Sequence, residues 1–582
     1  MAKKNIYIGI TYSHNATVAV IKNNEIIFAQ SEERFNRIKN STGFPFKTLE
    51  YIYKNICSED EVKSITIFQK SIFGYLSLKK QNFKPYKYGF YFTPDISQNN
   101  RFWKSELKWN ISQIKARKIK ENNKLLVKES FAFWEESSKV KKGRINLMDH
   151  HNSHAYSVLS NIKDWGKTLI FTLDGAGDYK CGSVKIFSKE RKNLETLLEI
   201  DHRNSLGYFY SAITVLLGMK AGEHEFKVMG LAPYTKYKYF EKILIYFREL
   251  YFLDEKGSIQ AKYNPVLMHE KLLKIIQGER FDNIAAAAQM LVEELIISWI
   301  QYWVSKYGIK NIALSGGVFM NVKACQKVIE NINPNKIFIM PSAGDESCAI
   351  GCAIKGYMEE NELTNLKPLK SLYLGVEYGE KDLLTTLNNH KYKHIINFNR
   401  LDNINLKVAE LLRDGHVVAR CSGKMEFGAR ALGNRSILAD PSKIEVLELI
   451  NSTIKSRDFW MPFTPSILSE DIELYVKNHK SIFAPYMCVT FNSTELAQNH
   501  LKAALHPRDK TIRPQEVIKE WNPGYYDLIS QFKGMTGIGG VLNTSFNLHG
   551  EPNVCSHEDA IHTLLNSNLK YLVIDSYLIE KK

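Results

Sequence analysis

Short runs of apolar and β-branched residues predict strands at the start of the chain and again after residue 165. Polar bends separate the members of each group, as expected for hairpins. Asn23-Asn24 forms one bend, and Asp174-Gly175-Ala176-Gly177-Asp178 forms the other. The predicted strands cover 6–10, 17–21, 26–29, 168–173 and 182–187. Two hairpins with polar bends predict a duplicated α/β architecture of the actin and sugar-kinase type.

Longer segments repeat apolar residues with the helical period. They predict helices over 46–55, 281–307 and 318–330, the last after the bend Ser315-Gly316-Gly317, and a strand over 336–340. The sequence becomes polar over 361–370, and a new series of predicted strands and helices follows. We therefore predict a first domain at 1–360, a linker at 361–370 and a second α/β domain at 371–582.

Composition limits the class of protein. A chain of 582 residues is longer than a single hydrophobic core usually supports, so two or more domains are expected. A hydrophobic content of 44% argues against disorder. The net charge of +16 comes largely from lysines between Lys70 and Arg144, which favour a solvated face over a nucleic-acid groove but leave RNA open. Eight scattered cysteines without a Cys-x-x-Cys pair indicate a reducing compartment. We expect a soluble cytoplasmic protein, because Glu293 and Glu294 interrupt the most apolar helix.

A divalent metal site is predicted in the first domain. His150 and His154 are four residues apart, so a helix would project both imidazoles from one face. Two histidines need an oxygen ligand, and Asp345, at the start of a small-residue helix, is the choice. His151 competes with His150 for the metal, and the pair could instead be ordinary core or surface histidines. Cys348 and Cys352 share the following helix face and are expected to be packed thiols.

Other residues of the first domain are candidates for ligand binding. Gly316 and Gly317 let the backbone approach a ligand closely. Asp174 could orient a metal or nucleotide phosphates, and Lys227 could neutralise phosphates, although either could be a turn cap or a surface charge. His14 in the first hairpin region is the candidate general base, since imidazole titrates near neutral pH.

Cations gather in the second domain. Arg430 and Arg435 lie in a glycine-punctuated stretch with Glu426, and guanidinium groups can hold a phosphate or carboxylate at two points. The polar turn Asn543-Thr544-Ser545-Phe546-Asn547 follows an apolar run. Further cations are Lys455, Arg457, Lys510 and Arg513. So many donors predict a polyanionic ligand, with structural ion pairing as the alternative for an isolated arginine pair.

Taken in order, these segments resemble the NodU/CmcH family of O-carbamoyltransferases over essentially the whole chain. The motifs that carry the resemblance are Gly9-Ile10 with His14, Ser31-Glu32-Glu33-Arg34-Phe35 with Arg37, His150-His151-x-x-His154-Ala155, Asp174-Gly175, Lys227-Val228-Met229-Gly230-Leu231-Ala232-Pro233, Gly316-Gly317-Val318 with Asn321, Gly344-Asp345, Glu426-Phe427-Gly428 with Arg430-Ala431-Leu432-Gly433-Asn434-Arg435-Ser436, Arg513-Pro514-Gln515, and Asn543-Thr544-Ser545-Phe546-Asn547 with Gly550-Glu551-Pro552. The sequence departs from the family at Asn15, where aspartate is common.

The resemblance implies an actin-like (ASKHA) carbamoyl-transfer domain followed by a YrdC-like domain. The second domain would make carbamoyl-adenylate from ATP, with Mg, and carbamoyl phosphate, using Arg430 and Arg435 as catalytic cations. The first would transfer the carbamoyl group to a small-molecule hydroxyl, with His14 as base and His150, His154 and Asp345 holding Fe, Mn or Zn. Implied cofactor-binding residues are Asp174, Gly175, Lys227, Gly230, Gly316, Gly317, Asn321, Lys455, Arg457, Arg513, Asn543, Thr544, Ser545 and Asn547.

Two rival functions stay open. An RNA-binding or tRNA-modifying protein of the threonylcarbamoyl type would use the basic stretch. A sugar-kinase-fold phosphotransferase would leave the second-domain cations without a role. The resemblance favours a glycoside or natural-product acceptor, no nucleic acid and no membrane, and leaves a homodimer open.

Overall fold

The computed structural model describes residues 5–12, 14–68, 132–139, 144–189, 194–265, 268–455, 457–478 and 480–582. The chain divides into two compact units. The first comprises Met1–Glu32, Asn40–Met320 and Val328–Pro368, and the second comprises Glu33–Lys39, Asn321–Lys327 and Leu369–Lys582. Two short segments of the predicted first domain thus belong to the second unit. Apart from 132–139 and Arg144, the predicted basic stretch lies outside the described residues.

The first unit contains twelve strands in its described part. They are β1 Ile6–Thr11, β2 Thr17–Lys22, β3 Glu25–Ser31, β4 Val62–Phe68, β5 Ile145–Met148, β6 Thr168–Gly177, β7 Lys180–Phe187, β8 Leu194–Asp201, β9 Tyr251–Leu253, β10 Ile259–Ala261, β11 Asn311–Ser315 and β12 Lys336–Ile339. The predicted strands are all present. Asn23 and Asn24 have φ of 51° and 61°, the left-handed pair that a tight two-residue hairpin requires.

Two five-stranded sheets of this unit share one topology. The first has the order β3-β2-β1-β4-β5, and the second has the order β8-β7-β6-β11-β12. In each, the three strands of the hairpin series pair antiparallel, and the last two strands add in parallel beside the first. The predicted duplication is therefore present, and β1 and β6 are the corresponding central strands.

Helices cover these sheets. Those of seven or more residues are α1 Phe46–Asn55, α2 His150–Ser157, α3 Leu206–Leu216, α4 Glu225–Leu231, α5 Tyr237–Arg248, α6 His269–Ile276, α7 Phe281–Tyr307, α8 Val322–Ile332 and α9 Glu346–Met358. Residues 322–327 of α8 belong to the second unit. The predicted bounds of α1 and α7 are confirmed. The prediction for α8 was wrong at its start: 317–320 form a tighter turn, and the Asn321 side chain accepts from the Ala324 amide, so α8 begins at Val322.

Helix α7 is long and apolar enough to cross a membrane by length and composition alone. However, 72% of its most apolar window is buried inside the protein. Trp299 and Ile300 are fully buried, and Phe171 of β6 packs edge-on against Trp299. Burial against a central strand identifies α7 as a core helix.

The second unit is built on a mixed eight-stranded sheet of order β13-β23-β22-β14-β15-β21-β16-β20, beside a three-stranded sheet of order β17-β18-β19. The strands are β13 Ile396–Arg400, β14 Val418–Cys421, β15 Arg435–Ala439, β16 Thr464–Leu468, β17 Val476–Lys477, β18 Phe491–Ser493, β19 Thr511–Ile512, β20 Gln515–Val517, β21 Gly540–Ser545, β22 Tyr571–Ile574 and β23 Tyr577–Lys581. The helices of six or more residues are α10 Glu380–Leu387, α11 Ile404–Arg413, α12 Glu445–Ile450, α13 Glu495–His500, α14 Pro523–Thr536 and α15 His557–Leu565. Side chains of β14, β15 and β21 contribute to one buried core with α12 and α15.

Candidate functional site

Helices α2 and α9 build the candidate metal centre of the first unit. Asp149 caps α2 by accepting from the Asn152 amide, and the His150 amide donates to Asp178, so the first turn is fixed at the end of β5. The two helices touch at Gly351, where an added Cβ would lie 1.8 Å from the Ser153 carbonyl oxygen. Only glycine permits this approach.

Four side chains of this unit converge, and we call them the His-Asp cluster: His150, His154, Asp174 and Asp345. The Nε2 atoms of His150 and His154 are 3.2 Å apart. Asp174 Oδ2 lies 3.0 Å from His150 Nε2 and 3.4 Å from His154 Nε2. Asp345 Oδ1 lies 3.6 and 3.7 Å from the same nitrogens. The predicted pairing of both histidines with Asp345 is thus present in the geometry.

These separations fit donors that share one ion. Ligands about 2.1 Å from a common metal are about 3.0 Å apart at right angles and about 3.4 Å apart in a tetrahedron. Two imidazoles and one carboxylate form a set that suits Fe(II) with open coordination positions. His154 Nδ1 lies 3.3 Å from Ser347 Oγ, an outer partner that orients the ring. The residues present therefore fit a divalent metal.

The charges of the His-Asp cluster are interdependent. Burial lowers the pKa of His150, but the charge of Asp345 and the hydrogen bond with Asp174 outweigh it and raise the pKa overall. Burial raises the pKa of Asp174, but hydrogen bonds from both histidines hold it well below the usual range. A metal binds the neutral imidazole, so its binding is opposed by this raised pKa of His150 and should release protons.

His151 is excluded from this centre by its orientation. Its Nδ1 lies 2.9 Å from Thr172 Oγ1 of β6, and the group of donor atoms around Asp345 contains His150 and His154 but not His151. Burial, with the charges of His150 and His154, keeps its pKa well below the ordinary value, so the ring is neutral. The question of which adjacent histidine faces the carboxylates is answered in favour of His150.

His14 lies at the edge of the cluster. Its Nδ1 is 3.3 Å from Asp345 Oδ2, and its side chain is 34% exposed while that of Asp345 is 2% exposed. A base must reach both a substrate proton and solvent, and the partial exposure of His14 suits that task. Its role as base remains a prediction.

The glycine bend 315–317 supports Asp174. Gly316 has φ of 106°, and a Cβ there would lie 2.3 Å from the Leu173 carbonyl oxygen. The Gly317 amide donates to Asp174 Oδ1 over 3.2 Å. Gly175 follows, and its carbonyl accepts from Ser205 Oγ. The bend thus directs one amide at a carboxylate of the cluster, and its predicted contact with a nucleotide remains untested.

Three further residues predicted to bind a cofactor lie in α4 or at the start of α8. Lys227 is half-buried and Gly230 is buried on α4. Asn321 caps α8 through Ala324 and belongs to a segment of the second unit. Their roles in cofactor binding remain predictions.

In the second unit, Glu426 organises the loop that precedes β15. Its Oε1 accepts from the backbone amides of Leu432, Asn434 and Arg435 at 2.8, 2.7 and 3.0 Å. One buried carboxylate oxygen thereby fixes the bend, in which Gly433 has φ of 112°. The loop is therefore ordered before any ligand arrives.

The prediction that Arg435 grips an anion is not supported by its position. Arg435 is 1% exposed, and its Nε donates to the Cys555 carbonyl. Its Nη1 donates to the carbonyls of Ser422, Gly423 and Asn434. Since these donors are engaged by the backbone, Arg435 holds the loop together.

Four other cations form what we call the cation cluster: Arg430, Lys455, Arg457 and Arg513. Burial and the charge of Arg430 lower the pKa of Arg457 to about 10. Burial and the charges of Arg430 and Arg457 hold the pKa of Arg513 well below its usual range. Burial and the charge of Arg457 do the same for Lys455. Lys455 is buried and the three arginines are half-buried, so an anion would relieve their mutual repulsion.

No carboxylate of the described residues pairs with Lys455, Arg457 or Arg513. Arg513 Nε is buried and makes no hydrogen bond within the described part of the chain. Ion pairing within the described part of the chain therefore does not account for these three cations. Their arrangement suits a ligand that brings several negative oxygens.

The polar turn after β21 holds two of these cations. Lys455, at the end of a π-helical turn, donates to Asn547 Oδ1 at 2.8 Å and Ser545 Oγ at 3.1 Å. Arg457 Nη2 donates to Thr544 Oγ1 at 2.9 Å. Asn543 instead donates to the Ala431 carbonyl beneath the loop and is 1% exposed. Thr544, Ser545 and Asn547 thus position cations, whereas Asn543 supports the loop.

Sequence reasoning missed two features of these sites. Asp174 was predicted as a nucleotide or metal ligand, and its contact with both histidines was not foreseen. Cys348 was expected to be a packed thiol, yet its sulfur and the donor atoms of His150, His154 and Asp345 all lie within 4.8 Å of one another. The spacing of three residues between Asp345 and Cys348 could have predicted that both side chains lie on one helix face.

Comparisons with known proteins agree with the geometry. Residues 6–354 match the family model for the carbamoyltransferase N-terminus, and residues 409–581 match the model for the carbamoyltransferase C-terminus. The chain is 32% identical to an uncharacterised protein of Methanocaldococcus jannaschii over 99% of both chains. It is 31% identical to nodulation protein NolNO of Sinorhizobium fredii, over 98% of this chain and 80% of that protein.

A shorter match and two solved structures complete the comparison. The 3'-hydroxymethylcephem-O-carbamoyltransferase of Amycolatopsis lactamdurans is 36% identical over 24% of this chain and 26% of its own. Full-length HypF is similar at 12% identity with a TM-score of 0.36, covering 62% of this chain and 57% of that one. HypF of T. kodakarensis has a TM-score of 0.34 at 15% identity, covering 62% and 49%. These scores support no argument, but the family models and full-length relatives do: the chain belongs to the carbamoyltransferase family.

Proposed function

We propose that this enzyme is an ATP-dependent O-carbamoyltransferase that activates the carbamoyl group in the second unit and delivers it in the first. The observation that carries the proposal is the cation cluster. Lys455 is buried, Arg457 and Arg513 are half-buried, and the described residues provide no carboxylate partner for any of the three, so they favour a polyphosphate.

The activation step consumes carbamoyl phosphate, ATP and water and yields carbamoyl-adenylate, pyrophosphate and phosphate. Hydrolysis of carbamoyl phosphate gives carbamate, whose oxygen attacks the α-phosphorus of ATP while pyrophosphate leaves. Positive charge must stabilise the pyrophosphate as the bond to it breaks, and Arg430, Arg457 and Arg513 provide that charge. Lys455 is held for the same purpose by Ser545 and Asn547.

The transfer step takes place at the His-Asp cluster. His150, His154 and Asp345 would hold a divalent metal, with Fe(II) as the first expectation and Mn(II) or Zn(II) as alternatives; the ion would polarise the carbamoyl group as a Lewis acid. His14 accepts the proton of the acceptor hydroxyl as its oxygen attacks the carbamoyl carbon. AMP leaves, so the products are a carbamate ester and AMP.

The first unit is proposed to be of the actin and sugar-kinase type, because its two sheets repeat one strand order. The second is proposed to be YrdC-like on the motif resemblance. The acceptor is proposed to be a hydroxyl of a glycoside or natural product. A relative named for 3'-hydroxymethylcephem supports a small-molecule alcohol as the acceptor class. We further propose a cytoplasmic location and leave a homodimer open.

The test is release of pyrophosphate from the full chain with ATP, Mg(II), carbamoyl phosphate and Fe(II) or Mn(II). We expect release that requires carbamoyl phosphate and is lost in Arg430→Ala. The matched control is Arg203→Ala, since Arg203 is 63% exposed and pairs with Asp201 on the first unit. ADP formation with a sugar would instead favour a kinase. Salt-sensitive tRNA binding without pyrophosphate release would favour an RNA-binding protein.

A further inference from the structure

A sulfur atom lies beside the candidate metal centre. Cys348 is fully buried on α9, three residues after Asp345, so both side chains occupy the same helix face. Its sulfur is within 4.8 Å of the donor atoms of His150, His154 and Asp345. The thiol therefore faces the cluster and is not merely packed in the core.

The separation suits direct coordination. A sulfur about 2.3 Å and a nitrogen about 2.1 Å from one ion are about 3.6 Å apart in a tetrahedron and about 4.4 Å apart when opposite. The observed limit of 4.8 Å needs only a small side-chain adjustment to reach this range. The next thiol on this face, Cys352, contacts Ser153 Oγ at 3.5 Å instead. Cys348 is thus distinguished from its neighbour one turn along.

We infer that Cys348 joins His150, His154 and Asp345 as a ligand of the metal and determines which metal the site prefers. This inference rests on the metal site of the proposed function. On coordination the thiol loses its proton to solvent, and the thiolate bonds to the ion without any change of oxidation state. A soft thiolate favours Zn(II), Co(II) and Fe(II) over the harder Mn(II) and Mg(II).

Cobalt reports a sulfur ligand by absorption, without any need for activity. One equivalent of Co(II) added to the metal-free full chain should give a sulfur-to-cobalt charge-transfer band in the near ultraviolet. The band should persist in the matched control Cys352→Ser and vanish in Cys348→Ser, while the visible cobalt bands remain. Cys348→Ser should also weaken Zn(II) binding by at least about tenfold, the lower end of the loss seen for outer-shell partners.

Bound cobalt without the band in the wild type, or a band that survives in Cys348→Ser, would overturn the inference and leave the proposed function intact. Failure of the wild type to bind cobalt would overturn both the inference and the metal site of the proposed function. The activation step in the second unit is tested separately by pyrophosphate release. If Cys348→Ser does not fold, X-ray absorption of the zinc-loaded wild type decides. A sulfur shell at about 2.3 Å supports the inference, and only nitrogen and oxygen at about 2.0–2.2 Å contradict it.

Discussion

Replacing Arg457 by methionine should stabilise the ligand-free protein while abolishing pyrophosphate release. Burial and the charge of Arg430 lower the pKa of Arg457 to about 10, well below the ordinary value of a guanidinium. Such a fall corresponds to about 3 kcal/mol against the charged form. Because the folded pKa lies below the unfolded value, the penalty is fully present at pH 7 and diminishes only above pH 10.

Methionine also removes favourable contacts. Arg457 donates to Thr544 and lies 4.7 Å from the centre of the Phe463 ring, contacts worth about 1–2 kcal/mol together. The net stabilisation of Arg457→Met is therefore about 1–2 kcal/mol. For a domain of 150 to 250 residues this raises the unfolding midpoint by about 2 to 8 °C.

Arg435→Met is the control because it changes an arginine of the same unit with the opposite role. It leaves the buried carbonyls of Ser422 and Cys555 without their Arg435 donor, and each is expected to cost about 1–3 kcal/mol. Its unfolding midpoint should fall sharply.

Scanning calorimetry with and without pyrophosphate measures both effects, and the two units are analysed as separate transitions. Pyrophosphate should stabilise the wild type more than Arg457→Met. A ligand-free Arg457→Met protein less stable than the wild type would refute the idea that the cation cluster is strained for anion binding.

Three further outcomes are expected. His150→Ala should abolish carbamoyl transfer but leave pyrophosphate release largely intact, and equal loss of both half-reactions, assayed separately, would contradict the two-site scheme. Gly351→Ala should destabilise the protein by about 1–3 kcal/mol in urea unfolding and weaken metal binding, because the added Cβ would push α2 away from α9. The control Gly534→Ala should be neutral or slightly stabilising, because this helical glycine has no atom within 4 Å of an added Cβ. Burial, followed by a neighbouring guanidinium, lowers the pKa of His557 to about 4, so the free energy of unfolding should fall as the pH drops from 6.5 to 4. If the free energy of unfolding of His557→Asn falls with pH as steeply as that of the wild type, this prediction is wrong.

Local pattern predicted much of the first unit. The bounds of α1 and α7, the strands of both hairpins and the shared helix face of His150 and His154 follow from residues near one another in sequence. The left-handed turn at Asn23 and Asn24 is of the same kind. Hydrogen bonding and side-chain direction within one element depend on neighbouring residues, so the sequence alone determines them.

Long-range packing decided the rest. Arg430 and Arg435 look alike in sequence, but the fold buries Arg435 against carbonyls and leaves the charge of Arg430 acting on other cations. Segment 33–39 joins the second unit although it follows β3 of the first. Asp174 and Cys348 meet the histidines only because β6 and α9 pack against α2. Residue type supplies the chemistry, but burial and the approach of distant segments fix which charges remain for a ligand, and those depend on the tertiary structure.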